Sequence, residues 1–476
     1  MLRRVSFLQL KIYQQVGSLV KWLVQFFKPA PALKEIEDQE VVKSDYKYWR
    51  WRIFIGMYVG YVFYYFSRKS FTCVMPLLIQ DLGMTKSDLG ILGSLFAVVY
   101  GSSKFLSGVI SDRSNPRVFM SVGLVLTGFL NIFFGFTSTL WVLALFWGLN
   151  GLFQGWGWPP VAKLLTHWYS QKERGTWWGT WNSSHNVGGA VIPLLVGVVA
   201  QFLGWRFGMY VPGILCIGVG LFVFFCLRDT PASLGLPPIE KFRNDYPTSK
   251  KVDEDITLKE LLFKYVINNG YLWLLGIAYF FVYVIRGAFN DWSPLFLMET
   301  RGYNLVTANA SIVWFELGGL VGNIAAGWAS DKIFKGRRGP VNILFALSVI
   351  GAIAALWLVP PGFVILDYAL IFMIGFLIFG PQMLIGVAAA ELSHKKAAGA
   401  ATGFIGFIAY LGMATAGYPL MKFMESTGWG GFFVALAICG LVSVLLLLPM
   451  WAIKSNPKFL PEEEKPAPAA DEAAEA

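Results

Sequence analysis

The 476-residue chain has little charge: Asp, Glu, Lys and Arg make up only 14% of it, against 56% hydrophobic residues. An average soluble protein carries roughly 25% charged and 45–50% apolar residues. A soluble fold of this length would lack the polar side chains to cover its surface, which excludes a soluble enzyme. Histidine is scarcer still: His167, His185 and His394 are the only three, too few and too scattered for a histidine metal centre. The four cysteines, Cys73, Cys216, Cys226 and Cys439, lie in apolar stretches without CxxC spacing. They read as buried free thiols, not a disulfide framework. No Walker A motif offers ATP chemistry, no Ser–His–Asp arrangement stands out, and no cofactor or metal is expected. Acid is short relative to base: 29 Asp and Glu face 39 Lys and Arg, a formal net charge of +10. In a soluble protein that excess suggests nucleic acid. In a membrane chain it marks cytoplasmic loops and a basic substrate site, so no nucleic-acid partner is expected.

What the chain has in abundance is long apolar runs. A spanning helix needs about 20 mostly apolar residues, and such runs fall near 53–78, 88–111, 116–137, 139–166, 176–203, 206–227, 270–292, 305–330, 341–359, 364–390, 398–423 and 429–453. These predict an all-α membrane protein of 12 transmembrane helices in two six-helix bundles, 46–227 and 267–453. Between the bundles, 228–266 is polar and Pro-rich, with 7 basic and 7 acidic residues from Arg228 to Lys264, and reads as a cytoplasmic linker. With the N-terminus inside, the short inner loops carry Arg113, Arg117, Lys172, Arg174, Lys332, Lys335, Arg337, Arg338, Lys395 and Lys396. The outer ones carry Lys86, Arg206, Arg301 and Lys422. Ten against four places both termini in the cytoplasm.

Residues 1–45 form a separate cytoplasmic segment. Within it Val5, Leu8, Ile12, Val16, Leu19, Leu23 and Phe26 recur at helical spacing opposite Arg4, Lys11, Gln14, Ser18, Gln25 and Lys28. That pattern predicts a basic amphipathic helix lying in the bilayer interface. A signal peptide fits less well, because Lys11 and Lys21 interrupt its apolar core and no A-x-A site follows. The tail 454–476, rich in Pro, Ala and Glu with nothing to bury, is expected to be disordered and cytoplasmic.

The two halves repeat. Tyr61, Tyr65 and Arg68 of the first span match Tyr279, Tyr283 and Arg286 of the seventh, since 279−61, 283−65 and 286−68 all equal 218. The loop GVISDRSNPR from Gly108 matches GWASDKIFKGRRG from Gly327 at offset 219, and Lys172 with Gly175 matches Lys396 with Gly399 at offset 224. Parallel repeats place a binding site between the halves near mid-membrane. Asp112, Arg113, Asp331 and Lys332 sit in the repeated loops, where carboxylates and cations can bracket helix ends and release them as one cytoplasmic packing opens; alternatively they only fix topology.

A charge in hydrocarbon costs roughly 2.5–3.5 kcal/mol on insertion scales, so each intramembrane charge needs a reason. Arg68, Lys104 and Arg286 lie well inside spans, and Lys69 points about 100° around the helix from Arg68. The repeat puts Arg68 and Arg286 at matching depths on opposite sides of one cavity. Two guanidiniums there repel unless an anion joins them, and Arg forks match phosphate oxygens. Structural pairing with Asp291 or Glu316 is the alternative. Tyr61, Tyr65, Tyr279 and Tyr283 share the arginine faces and wall the cavity or pack as core. In the fifth span Asn182, His185 and Asn186 share a face, with Gly188 and Gly189 admitting a neighbouring helix. His185 is either a phosphate ligand responsive to pH or a packing residue. Asn290 and Asp291, a turn beyond Arg286, are candidates for sugar hydroxyls, or Asp291 positions the arginine.

The G-x-x-S-D-[RK] loops resemble the inner-loop signature of the major facilitator superfamily. The segments YYFSRKSF, YGSSKFLSGVISDR, GWGWPP, WNSSHNVGGA, VYVIRGAFNDWSP and HKKAAGAATGFIG resemble its organophosphate:phosphate antiporter family, in the hexose-phosphate transporter and sensor branch, from about Tyr46 to Ile453. The resemblance implies phosphate binding by Arg68 and Arg286, with Lys104 and His185 beside them. It implies exchange of a hexose phosphate, glucose 6-phosphate foremost, for inorganic phosphate by a rocker switch in a bacterial inner membrane, by a monomer. The sensor branch implies the alternative: a membrane receptor for hexose phosphate that signals to a histidine kinase partner.

Overall fold

A computed structural model describes residues 25–245, 263–393 and 397–453. The predicted amphipathic helix, apart from its last residues, the second part of the linker and the C-terminal tail lie outside the described residues. The described chain is helical, in the order α1 (Gln39–Leu82), α2 (Lys86–Asp112), α3 (Pro116–Gly135), α4 (Leu140–Gln154), α5 (Trp158–Trp168), α6 (Gln171–Leu203), α7 (Trp205–Cys226), a short α8 (Ile239–Arg243), α9 (Gly270–Arg301), α10 (Leu305–Trp328), α11 (Arg338–Leu358), α12 (Val364–Glu391), α13 (Ala398–Thr415) and α14 (Tyr418–Leu447). Among the described residues nine helical stretches are long and apolar enough to cross a membrane. Their outer faces expose Ile365 at 85%, Leu358 at 77% and Phe202 at 76%, the reverse of a water-facing surface.

Local chemistry sets the ends. The Asn115 side chain accepts from the Arg117 amide at 3.0 Å, and Pro116 opens α3, where a missing N–H is harmless. Asn269 and Asn304 cap α9 and α10 in the same way, accepting from the Tyr271 and Thr307 amides at 3.1 and 2.9 Å.

Three predicted spans, 139–166, 398–423 and 429–453, divide differently in the helices found. The run 139–166 is two helices, because the chain turns at Gly155–Gly157 and Pro159 and Pro160 start a new helix rather than continue the old. At the C-terminal end, α13 closes at Thr415, and the gap placed at 424–428 is instead a kink inside α14. Gly428 makes it with φ 69° and ψ −169°, a backbone open only to glycine.

By internal contact the chain forms two compact units. The first comprises residues 1–71, 102–192 and 202–250, and the second 72–101, 193–201 and 251–476. In the first, α3 packs along α7 and α4. In the second, α10 packs along α12, α9 along α13 and α14, and α11 along α12. The second unit also includes the C-terminal end of α1 and the start of α2, tied down where the Ser94 hydroxyl donates to the Ala414 carbonyl and Lys86 pairs with Glu299.

Candidate functional site

In the first unit Arg68 projects from α1 toward the end of α4. Its Nε and Nη2 both donate to Gln154 Oε1, at 3.3 and 3.2 Å. Gln154 in turn donates from Nε2 to the Tyr64 carbonyl at 3.0 Å and the Ser67 hydroxyl at 2.7 Å. The amide is only 2% exposed and stands where α4 gives way to the Gly155–Gly157 turn. The Arg68 guanidinium also lies 4.7 Å from the Tyr65 ring centre, a favourable cation–π distance. Tyr65 packs against His185, ring centres 5.8 Å apart, and Tyr61 against Trp181 at 4.7 Å. This close order follows from Gly188, where an added Cβ would lie 2.5 Å from the Val62 carbonyl oxygen and 2.8 Å from Tyr65 Cβ. Only glycine lets α6 lie that near α1.

His185 and Asn186 are buried, 8% and 3% exposed, while Asn182 is exposed. The buried face of α6 runs through Trp181, Ser184, His185, Gly188 and Ile192, and Asn182 sits a helical step of about 100° beyond Trp181. Lys104 on α2 holds its ammonium 5.4 Å from the Trp158 ring centre, at the start of α5. Lys69, the neighbour of Arg68, is also buried, at 3% exposure.

The second unit builds a similar arrangement around Arg286 on α9, 8% exposed. Its guanidinium lies 5.3 Å from the Tyr283 ring centre and 4.9 Å from that of Phe379 on α12. Tyr279 packs edge-on against Tyr283 at 4.7 Å and donates to the Gln382 carbonyl at 2.9 Å. Tyr283 also meets Tyr410 of α13 at 5.5 Å. A turn further on, Asp291 Oδ1 accepts from Asn290 Nδ2 at 2.6 Å and from the Thr72 hydroxyl at 3.2 Å. Each arginine thus has an aromatic ring three residues before it, as the repeat requires. Their other supports differ: an amide in the first unit and a phenyl ring in the second.

At the loop after α10, Arg338 is the hub. Its Nη1 reaches Asp331 Oδ1 at 2.5 Å and its Nη2 reaches Glu391 Oε1 at 2.9 Å, tying the α10 end to the α12 end. Lys332 and Arg113 are exposed and make no ion pair among the described residues. The Asp112 side chain lies outside the described part.

Gln154 escaped the sequence reading, and Arg338 entered it only as one of the inner-loop charges. Gln154 is one polar residue in an apolar run, a visible signal, but its partner is set by folding. No group of three or more His, Cys, Asp or Glu residues that could hold a metal occurs among the described residues.

Helices of membrane length and apolar composition, with a buried or half-buried arginine in each unit, fit a multi-pass membrane protein. Residues 57–417 match the family described as the Major Facilitator Superfamily, and the protein is a transporter rather than an enzyme. A protein of Chlamydia pneumoniae called a probable hexose phosphate transport protein is 56% identical over 90% of this chain and 96% of its own length. The membrane sensor protein UhpC of Salmonella typhimurium is 50% identical over 90% of this chain and 97% of its own. Among solved structures, an inward-facing, unoccupied bacterial homologue of the human lysosomal transporter Spinster superposes with a TM-score of 0.67 at 16% identity, covering 88% of this chain and 99% of that one. The last likeness concerns the fold alone. The chain belongs to the major facilitator superfamily and, within it, to the organophosphate:phosphate antiporter family.

Proposed function

We propose that the protein exchanges a hexose phosphate, glucose 6-phosphate foremost, for inorganic phosphate across a bacterial inner membrane. Both termini lie in the cytoplasm, and a monomer works by rocker-switch alternating access. The observation that carries this reading is the duplicated Tyr-x3-Tyr-x2-Arg pattern, with a buried or half-buried guanidinium held over a tyrosine ring in each unit. It is supported by the relative at 56% identity that bears a hexose phosphate transport name.

Arg68 and Arg286 take the phosphate oxygens with forked N–H donors that stay charged at every physiological pH. Gln154 and the two tyrosines fix the planes of those forks, so less freedom is lost on binding. Lys104 and His185 add donors. Tyr61, Tyr279, Asn182, Asn186, Asn290 and Asp291 serve the sugar hydroxyls or the cavity wall. Asp112, Arg113, Asp331 and Lys332 serve the cytoplasmic loops, with Arg338 holding Asp331. A bound anion drives interconversion only by making stronger contacts in the occluded state.

The receptor reading, with a histidine kinase as partner, is not favoured: the sensor relative stands at 50% identity behind the transporter at 56%. The test is uptake of labelled glucose 6-phosphate by purified protein in liposomes. Uptake only with internal phosphate is expected, and equal uptake into phosphate-free liposomes would refute obligate exchange.

A further inference from the structure

A second basic recess lies in the first unit, away from the arginine of the repeat. It is a cavity of about 370 Å³ bounded by the start of α1, the start of α6 and the short α8, lined by Lys43, Lys47, Arg50, Glu173, Trp177 and Arg243. Arg50 and Arg68 are 18 residues apart on one helix, about 27 Å at 1.5 Å per residue. One anion cannot serve both.

Arg50 is built in. It is 8% exposed, its guanidinium lies 4.8 Å from the Tyr169 ring centre, and its carbonyl accepts from the Tyr169 hydroxyl at 2.7 Å. Arg50 Nη2 meets Glu173 Oε2 at 2.6 Å, and Arg243 Nη2 lies 3.8 Å from the same oxygen. Arg50 Nε is buried without a hydrogen-bond partner among the described residues, and the guanidinium lies against the Tyr169 and Trp177 rings, 4.8 and 5.8 Å from their centres. Lys43 is matched by Glu40 at 2.7 Å. Lys47 makes no ion pair among the described residues. The lining's four cations thus face one lining carboxylate, Glu173, with Glu40 on Lys43 and with Glu240 and Glu35 acting on Tyr46.

The walls suit an amphiphile as well as an ion. Tyr46 and Phe242 stack at 4.1 Å beside the cations. Trp51, 54% exposed, leads one turn on to Ile55, 49% exposed, where the apolar span begins. Aromatic side chains at that level mark the membrane interface, and basic pockets there take phosphate headgroups.

We propose that this recess is a second anion site, which holds the phosphate of a membrane lipid headgroup or a soluble phosphate through Lys47, Arg50 and Arg243. The full-length protein is placed in phosphatidylcholine nanodiscs with a small share of phosphatidylglycerol, and retained lipid is counted by native mass spectrometry. One phosphatidylglycerol is expected to stay bound. Its affinity should fall about tenfold or more in Lys47→Gln/Arg243→Gln, which removes two charged donors, and should be unchanged in Arg68→Ala. A soluble source is read by titrating inorganic phosphate into Arg68→Ala protein in pure phosphatidylcholine, where the double change should abolish the remaining binding. The Lys47→Arg/Arg243→Lys variant keeps both charges and should restore binding, which separates the site from a folding defect. Equal retention of lipid, together with equal phosphate binding, by wild type and Lys47→Gln/Arg243→Gln would overturn the proposal.

Discussion

Replacing Gln154 tests how far the proposed transport site depends on a residue that need not touch the substrate. In Gln154→Leu the two Arg68 donors lose their acceptor, and the Tyr64 carbonyl and Ser67 hydroxyl lose their donor. A hydrogen bond to a charged group contributes about 1.5–3 kcal/mol, while side-chain bonds between membrane helices average about 0.6 kcal/mol. Taking one charged interaction for the bifurcated pair, the loss of Arg68 orientation is about 1.5–3 kcal/mol. At 1.4 kcal/mol per decade that is roughly a 10- to 150-fold rise in the substrate concentration for half-maximal exchange. Gln154→Glu makes the complementary case. The carboxylate keeps an acceptor at the same place but neutralises the guanidinium, so exchange should fall although Arg68 stays put. Both variants are assayed by glucose 6-phosphate uptake into phosphate-loaded proteoliposomes, with KM and maximal rate determined separately. A Gln154→Leu protein with the wild-type KM would refute the positioning argument. So would a Gln154→Glu protein that exchanges normally.

Arg68→Ala and Arg286→Ala should each abolish exchange while expression survives, measured by uptake alongside quantitative immunoblotting; near-normal exchange in either would remove that arginine from the phosphate site. For His185→Gln, weaker exchange with a flattened pH profile is expected. An unchanged pH profile would leave His185 as a packing residue beside Tyr65. Gly188→Leu should separate α6 from α1, because even a Cβ lies 2.5 Å from the Val62 carbonyl. Overpacking of that kind destabilises by about 1–3 kcal/mol, and a thermal melt in detergent that matches wild type would contradict it. Arg338→Ala should unlink the α10 and α12 ends. A double-mutant cycle with Glu391→Ala, read by thermal stability, should show coupling because the pair meets at 2.9 Å.

Helix placement was legible because hydrocarbon imposes a length: α3, α7 and α10 lie within a few residues of their predicted spans. Family membership was legible because the repeat and the loop motifs are linear patterns. The break in 139–166 was masked by hydropathy, since Trp156 and Trp158 keep the window apolar while Gly155, Gly157 and two prolines end the helix. Asn182 shows the limit of spacing arguments. Its interval to His185 and Asn186 is right for a shared face, but burial depends on where α1 approaches, and Gly188 fixes that line. Gln154 and Arg338 were visible as polar residues, yet their partners are 86 and 53 positions away for Arg68 and Glu391. No local pattern encodes contacts of that range.

The turn at Gly155–Gly157 has a further consequence. An alanine Cβ at Gly155 would lie 2.4 Å from Ser103 Oγ, and one at Gly157 would lie 3.1 Å from the Tyr64 ring. Gln154 sits directly before this crowded corner. A small rotation there would swing its amide off Arg68, as a door frame out of true moves the latch. The two glycines therefore help set the tuning of the proposed anion site, although neither has a side chain to offer an anion.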